Sequence, residues 1–461
     1  MKEIRKKNTD IPDRSRRDFI GKTIIGGAGL TLGTGTPLFA FSTADSGKPA
    51  IMGGTKAFRE TFPIWPVFGK PEEKALLDVV RSARWGRLNG TRVAEFEKEY
   101  AKMNSVKNVL GVSSGTNALY TILGALDIGP GDEVIIPVYT FIATYNVVTL
   151  NYALPVFVDT DIETFQMDAR KVESAITPQT KVIMPVHMGG SPADMDTMSS
   201  VAQRWNIPLI EDACQAHLAE WKGKKVGNYG LAGAFSFQAS KNLNCAEGGA
   251  IMTNDDAFAQ TCYRFHNQGQ GDARVGYYGT GMGTRATNVR LTEFQGNILL
   301  AQMDRMEAQV KLRAENAAYL DDQLSRIAGI TPAKLYPGTT QSAYHLYMFR
   351  YDREQFGGLP REKFLKALAA EGVPCSAGYG KMNLSDYVTN LATNKHYLKI
   401  YGEKTMKEWL ERNQCPQNDK LAGEQAVWFT QNMLLGSRND MDRIVEAVRK
   451  IHKYADAVNN M

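Results

Sequence analysis

The chain has 461 residues, more than a single ordinary hydrophobic core organises, and 43% of them are hydrophobic against 22% charged. That balance excludes a fibrous or disordered protein and fits a globular enzyme of two or three domains. Of the net charge of +5, most arises in residues 1–44, where eight Lys and Arg face four Asp and Glu; the nearly neutral remainder gives no sign of nucleic-acid binding.

The first element is a leader. Ser15-Arg16-Arg17-Asp18-Phe19-Ile20 precedes an uncharged, Gly- and Thr-rich stretch over 23–44, with small residues at Ala40 and Ala44. A charged region, an apolar region and small residues in that order make a secretory signal. The paired arginines before Phe resemble a twin-arginine (Tat) signal, read by the Tat export machinery on cargo that is already folded. The expectation is a periplasmic or extracellular protein, membrane-tethered if the leader is not cleaved. A membrane anchor or a basic arm is the competing reading, and the many Gly and Thr argue against a spanning helix.

Residues 45–70 are interrupted by Gly and Pro and read as an extended arm. Helical spacing follows at 71–84 and 93–103. From Val109 short apolar runs alternate with helices. Strands are expected at 109–112, 133–137, 155–158, 180–187, 208–212, 233–237 and 249–253, and helices from 113–117 to 126, at 141–150 and at 193–205. This alternation predicts an α/β fold, a mostly parallel central sheet covered by helices on both faces. Such sheets bind ligands beyond the C-terminal strand ends, where Thr116, Asp212 and Ser236 fall. One long helix is expected over 292–325, opening at Thr292. It leads to a smaller C-terminal α+β domain with a strand at 344–350 and helices at 361–371 and 440–454; residues 380–420 read as irregular. The organisation expected is a leader over 1–44, a large domain over 45–300 and, over 301–461, a bridging helix with the small domain.

The chemistry centres on Lys241, between the apolar run 233–237 and Glu247-Gly248-Gly249, with Asp212 upstream in Ile210-Glu211-Asp212-Ala213-Cys214-Gln215. A lysine amine forms a Schiff base with an aldehyde cofactor, and an aspartate holds a protonated pyridine nitrogen. That pair is what pyridoxal 5′-phosphate (PLP) chemistry requires, whereas a lone Lys is ordinarily a surface charge. Ser113-Ser114-Gly115-Thr116-Asn117 is a strand-to-helix turn whose free N–H groups suit a phosphate, although an ordinary capping turn has the same composition. Ser236 adds a hydroxyl near Lys241. Phe141 has the shape to stack on a pyridine ring, and taken alone reads as a core aromatic. The five cysteines are widely spaced and lack a C-x-x-C pair, so they read as small buried side chains rather than a disulfide or zinc framework; the six histidines show no metal spacing.

In chain order, Trp85-Gly86, Ser114-Gly115-Thr116-Asn117-Ala118, Gly129-Pro130-Gly131-Asp132, Thr140-Phe141-Ile142, Asp159, Pro185-Val186-His187, Glu211-Asp212-Ala213-Cys214-Gln215, Ser240-Lys241-Asn242 and Glu247-Gly248-Gly249 resemble the DegT/DnrJ/EryC1/StrS family of PLP-dependent aminotransferases, which act mainly on sugars. The likeness is dense over 63–302 and looser beyond. It implies a fold-type-I PLP transferase in which Lys241 is the Schiff-base and proton-moving lysine. Asp212 would hold the ring nitrogen, Gln215 and Phe141 would flank the ring, and Gly115, Thr116 and Ser236 would hold the phosphate. It also implies a homodimer with a shared site, Asn288 reaching the neighbour's phosphate, and an amino-acid donor (glutamate or glutamine) serving a keto sugar or similar ketone. Lysine rather than histidine at 241 favours transamination over dehydration. The stretches 375–380 and 433–437 depart from the family pattern and leave the acceptor open. The alternatives are an exported PLP-binding sensor or surface protein without catalysis, and a different PLP reaction such as epimerisation or elimination.

Overall fold

The structure, a computed structural model, describes residues 47–280 and 285–461. The leader expected over 1–44 lies outside the described residues. Among the described residues no helix is long and apolar enough to cross a membrane.

Seven strands form the large sheet: β1 (Asn108–Val112), β2 (Glu133–Pro137), β3 (Leu154–Val158), β4 (Thr180–Ile183), β5 (Ile210–Asp212), β6 (Ala232–Ser236) and β7 (Gly249–Thr253). Their order is β3-β2-β4-β5-β6-β7-β1, with β4 and β5 joined by the parallel bridges Ile183 to Leu209 and Val186 to Asp212. Every residue of β2, β3, β6 and β7 is buried, which is why they read as continuous apolar runs. β7 alone runs antiparallel, against both β6 and β1. Only the loop 237–248, which carries Lys241, connects it to β6, and that loop forms turns and bends with no helix of the kind a parallel crossover uses. Helices α1 (Lys70–Ser82), α2 (Arg92–Asn104), α3 (Gly115–Ala125), α4 (Ile142–Thr149) and α5 (Met195–Trp205) lie close to their expected places, and α6 (Asp256–His266) is a helix the sequence reading did not assign.

The single helix expected over 292–325 is two: α7 (Glu293–Met303) and α8 (Met306–Leu324). Thr292 caps α7 as expected, in a capping box with Gln295. The break falls at Asp304 and Arg305, where the Arg305 guanidinium pairs with Glu72 of α1. The small sheet, β8 (Ile330–Pro332), β9 (Leu346–Tyr351) and β10 (Ala426–Thr430), is antiparallel with β9 central. α8, α9 (Arg361–Ala370) and a C-terminal helix (Arg438–Lys453) share its apolar core.

The irregular segment expected at 380–420 is largely helical, with α10 (Asp386–Ala392), α11 (Lys395–Tyr401) and α12 (Glu403–Arg412); the C-terminal helix is α13. Sparse anchors, Tyr397, Met406 and Trp409, are buried in the core of the large sheet, and Trp409 Nε1 donates to the Pro155 carbonyl at 2.7 Å. Asp159 accepts from the backbone of Gln417 and Asn418 at 3.1 and 2.9 Å, so this family-matching carboxylate pins the segment rather than lining the cavity described below. The arm preceding α1 is tied by Glu371, whose carboxylate accepts from Ala50 N at 2.6 Å, Ala57 N at 2.7 Å and Lys450 Nζ at 2.7 Å. The tie carries Trp65 and Pro66 to the cavity wall.

Candidate active site

A cavity of about 980 Å³ opens beyond the C-terminal ends of β1, β5 and β6, and the loop before β7, the arm and the small sheet complete its wall. Seven of the eight residues singled out from sequence line it: Gly115, Thr116, Phe141, Asp212, Gln215, Ser236 and Lys241.

At one end stands the N-terminus of α3. Ser114 caps it, its hydroxyl accepting from Asn117 N at 3.0 Å. A Cβ on Gly115 would lie 2.6 Å from Ser236 Cβ and 2.8 Å from Cys214 Sγ, and one on Gly249 would lie 2.4 Å from the Ser114 backbone. Glycine is therefore required for the helix end, β6 and β7 to meet this closely. Behind Ser236, buried His217 donates from Nε2 to the Ser236 carbonyl at 2.8 Å and accepts at Nδ1 from Tyr100 Oη at 2.9 Å. Burial pushes His217 down to about 3, so it is a neutral brace.

Asp212 ends β5 and is 5% exposed. Its Oδ2 accepts from Thr144 Oγ1 at 2.9 Å and its Oδ1 from Cys214 N at 3.2 Å; Thr140 lies 2.9 Å from Thr144 in turn. The adjacent Glu211 points the other way and accepts from Gly227, Tyr229 and Gly230 N at 2.7, 2.6 and 2.9 Å. That anchorage fixes the strand end and hence the aim of Asp212. Half-buried Lys241 is held by its own backbone N–H on the Gln238 carbonyl at 2.8 Å. Burial pushes its amine below the ordinary lysine range, with Cys214 and Asp212 opposing the shift. Disfavouring the charged form leaves more of the amine unprotonated near neutral pH, the form that attacks a carbonyl or accepts a proton.

The Gln215 amide is fixed at both ends: Oε1 accepts from Gly189 N at 2.9 Å and Nε2 donates to Tyr379 Oη at 3.1 Å. Phe141 is 54% exposed at the cavity mouth, which is no place for a core aromatic. Asn288 does not line this cavity; it lies exposed at the surface, bridged to Asn267.

Three further wall residues escaped the sequence reading. His345, just before β9, sets Nε2 3.5 Å from Lys241 Nζ and has Nδ1 3.2 Å from Asn242 Oδ1. Burial, then Lys241, holds it well below the usual histidine range. Tyr379 and Trp428 pack edge to face with ring centres 4.6 Å apart, and Trp428 Nε1 donates to Tyr139 Oη at 3.0 Å. Tyr379 lies in the stretch 375–380 that departs from the family pattern, and His345 read only as part of a strand.

Residues 68–425 match the DegT/DnrJ/EryC1/StrS aminotransferase family. The chain belongs to that family. The aminotransferase is 34% identical over 418 residues to L-glutamine:2-deoxy-scyllo-inosose aminotransferase of Micromonospora echinospora, covering 87% of this chain and 97% of the relative. It is 31% identical over 402 residues to 3-amino-5-hydroxybenzoate synthase of Amycolatopsis mediterranei, covering 86% and 97%. Among solved structures it resembles 3-amino-5-hydroxybenzoic acid synthase, with a TM-score of 0.76 and 30% identity, covering 88% of this chain and all of that one. The aminotransferase is thus a fold-type-I enzyme of a PLP-dependent family, and the alternative of a non-catalytic sensor draws no support from these relatives.

Proposed function

We propose that the aminotransferase holds pyridoxal 5′-phosphate in this cavity and moves the amino group of glutamine onto the ketone of a free polyhydroxylated ring, a cyclitol or keto sugar. The observation that carries the reading is the convergence of the Lys241 amine, the Asp212 carboxylate and the α3 N-terminus on one cavity. The donor set fits the cofactor. The α3 N–H groups, Thr116 and Ser236 suit its phosphate, in a cradle that a Cβ on Gly115 would fill. When bound, the cofactor supplies an electron-withdrawing ring that stabilises the charge left as a donor's α-proton departs. Asp212, held by Thr144 and Cys214, keeps a proton on a ring nitrogen by opposite charge. Lys241 takes and returns the migrating proton. Gln215, locked between Gly189 and Tyr379, fixes the side of the cavity on which a ring oxygen is met, and Phe141 offers an exposed face for stacking.

Glutamine as donor and a free ring ketone as acceptor are supported by the name of the inosose-aminating relative. Such an acceptor carries no nucleotide, which suits the exported location that Ser15-Arg16-Arg17-Asp18-Phe19-Ile20 supports. Mass spectrometry of the native N-terminus in fractionated cells tests the export; a full-length chain confined to the cytosol counts against it. Two features support a homodimer with shared sites. Asn288 stands outside its own chain's cavity, and apolar side chains of the arm and α1 (Ile64, Phe68, Leu77, Val80) are exposed together with Trp85.

The transfer is tested by incubating the holoenzyme with glutamine and a panel of cyclic polyhydroxy ketones and measuring the aminated product. Lys241→Ala is expected to lose the visible cofactor band and to slow transfer about a thousandfold or more. Transfer by that variant at the wild-type rate overturns the assignment.

A further inference from the structure

One buried charge is left unexplained by the roles above. Arg313, on α8, is 1% exposed, and the groups it bonds among the described residues are all neutral. Its Nε and Nη2 both donate to Gln431 Oε1, at 3.0 and 2.5 Å, and Nε also reaches the Gln431 carbonyl at 3.4 Å. Its guanidinium lies 5.3 Å from the centre of the Trp65 ring. Burial lowers it to about 9 with no carboxylate opposing the shift, so it remains a cation at neutral pH. A guanidinium removed from water without an anion is strongly unfavourable, and a fold keeps one where an anion completes the pair.

Both partners of Arg313, Trp65 and Gln431, belong to the cavity wall. The Gln431 amide fixes the direction in which the charge acts. Its oxygen is occupied by Arg313, so its Nε2 is the end left to donate. Among the described residues that group has no acceptor, and Gln431 lines the cavity. In the small sheet Leu346 stands opposite Thr430. Gln431 directly follows Thr430 and His345 directly precedes Leu346, so both flank the end of this ladder and both line the cavity, where His345 Nε2 is 3.5 Å from the Lys241 amine. The Arg313 charge is felt there, since it contributes, after burial, Lys241 and His217, to keeping His345 neutral.

We propose that Gln431, polarised from behind by Arg313, binds the α-carboxylate of the amino donor, and that Arg313 is a positioning residue acting through it. The inference rests on the amino-acid-donor reading above and adds the group that recognises the donor's charge. A carboxylate at Gln431 would complete the missing pair inside the cavity that also holds the Lys241 amine. A free cyclitol acceptor carries no carboxylate and has no use for this contact, so one cavity distinguishes the two amine carriers it must alternate between.

The test is calorimetric titration of the holoenzyme with glutarate, a carboxylate without an amine, and with the neutral glutaramide. Wild type is expected to bind glutarate more tightly than glutaramide. Gln431→Glu keeps Arg313 paired, so the fold survives, but opposes an incoming anion. It is expected to weaken glutarate about tenfold to hundredfold and to affect glutaramide far less. In turnover, the KM for glutamine rises much more than kcat falls. Arg313→Met, where it folds, gives the same split between the two ligands. Equal binding of glutarate by wild type and Gln431→Glu overturns the proposal, as does equal loss of both ligands. Gln431-dependent glutarate binding in a protein that takes no amine from glutamine upholds the carboxylate site and rejects the donor assignment alone.

Discussion

At the residue scale, the lysine in the cavity is built at the expense of stability. Lys241 sits where burial disfavours its charge, and the opposing pull of Cys214 and Asp212 does not restore the ordinary value. The sign of the pH dependence follows. In the unfolded chain the amine titrates near 10.5, whereas in the fold it loses its proton at lower pH. Below the folded value both states are protonated and the native state bears the full penalty of a buried cation. Between the two values the unfolded chain binds the extra proton, so native stability rises with pH until 10.5 is passed. Lys241→Met removes the ionisable group and keeps the bulk. In cofactor-free protein this variant is expected to melt above wild type at pH 7, by a margin that has shrunk by pH 10, the loss falling between the lowered folded value and 10.5. Calorimetric melting of the two proteins across that range checks it, and a margin that is absent or grows with pH contradicts the burial argument.

At the scale of elements, the large sheet was readable in the sequence because its strands are buried on both faces and its helices on one. Runs such as Val134-Ile135-Ile136 and Val156-Phe157-Val158 follow from that burial directly. The carboxylate-to-lysine axis was readable as well, because Asp212 terminates a strand and Lys241 follows one. What escaped depends on contacts distant in sequence. The break between α7 and α8 is set where Arg305 meets Glu72, 233 residues away. α10–α12 are short and read as irregular, yet they seat Val388, Tyr397, Met406 and Trp409 in the core of another element. His345 and Gln431 reach the site only because β9 and β10 pair in one register, and no local pattern announces that pairing. The direction of β7 was likewise invisible, since a buried strand has the same composition whichever way it runs.

At the scale of the whole molecule, the cavity is assembled by segments that share no local sequence signal: the large sheet's strand ends, the small sheet, and an arm drawn in by Glu371 and Lys450. Asn288 is the one family-matching site residue that this chain leaves outside its own cavity, and the exposed apolar side chains of the arm and α1 offer a surface for a second copy. If the second copy's cavity receives Asn288, one site combines Lys241 of one subunit with Asn288 of the other. Co-expressing differently tagged Lys241→Ala and Asn288→Asp chains then produces heterodimers in which one site carries both lesions and the other carries neither. Random pairing makes about half of the dimers mixed, each with one intact site of two, so activity is expected to return to about a quarter of wild type from two nearly inactive parents. Isolating the doubly tagged fraction should raise this to about half. Activity no higher than the mean of the parents would place Asn288 outside the neighbour's site, because lesions confined to separate sites leave no site whole in any pairing.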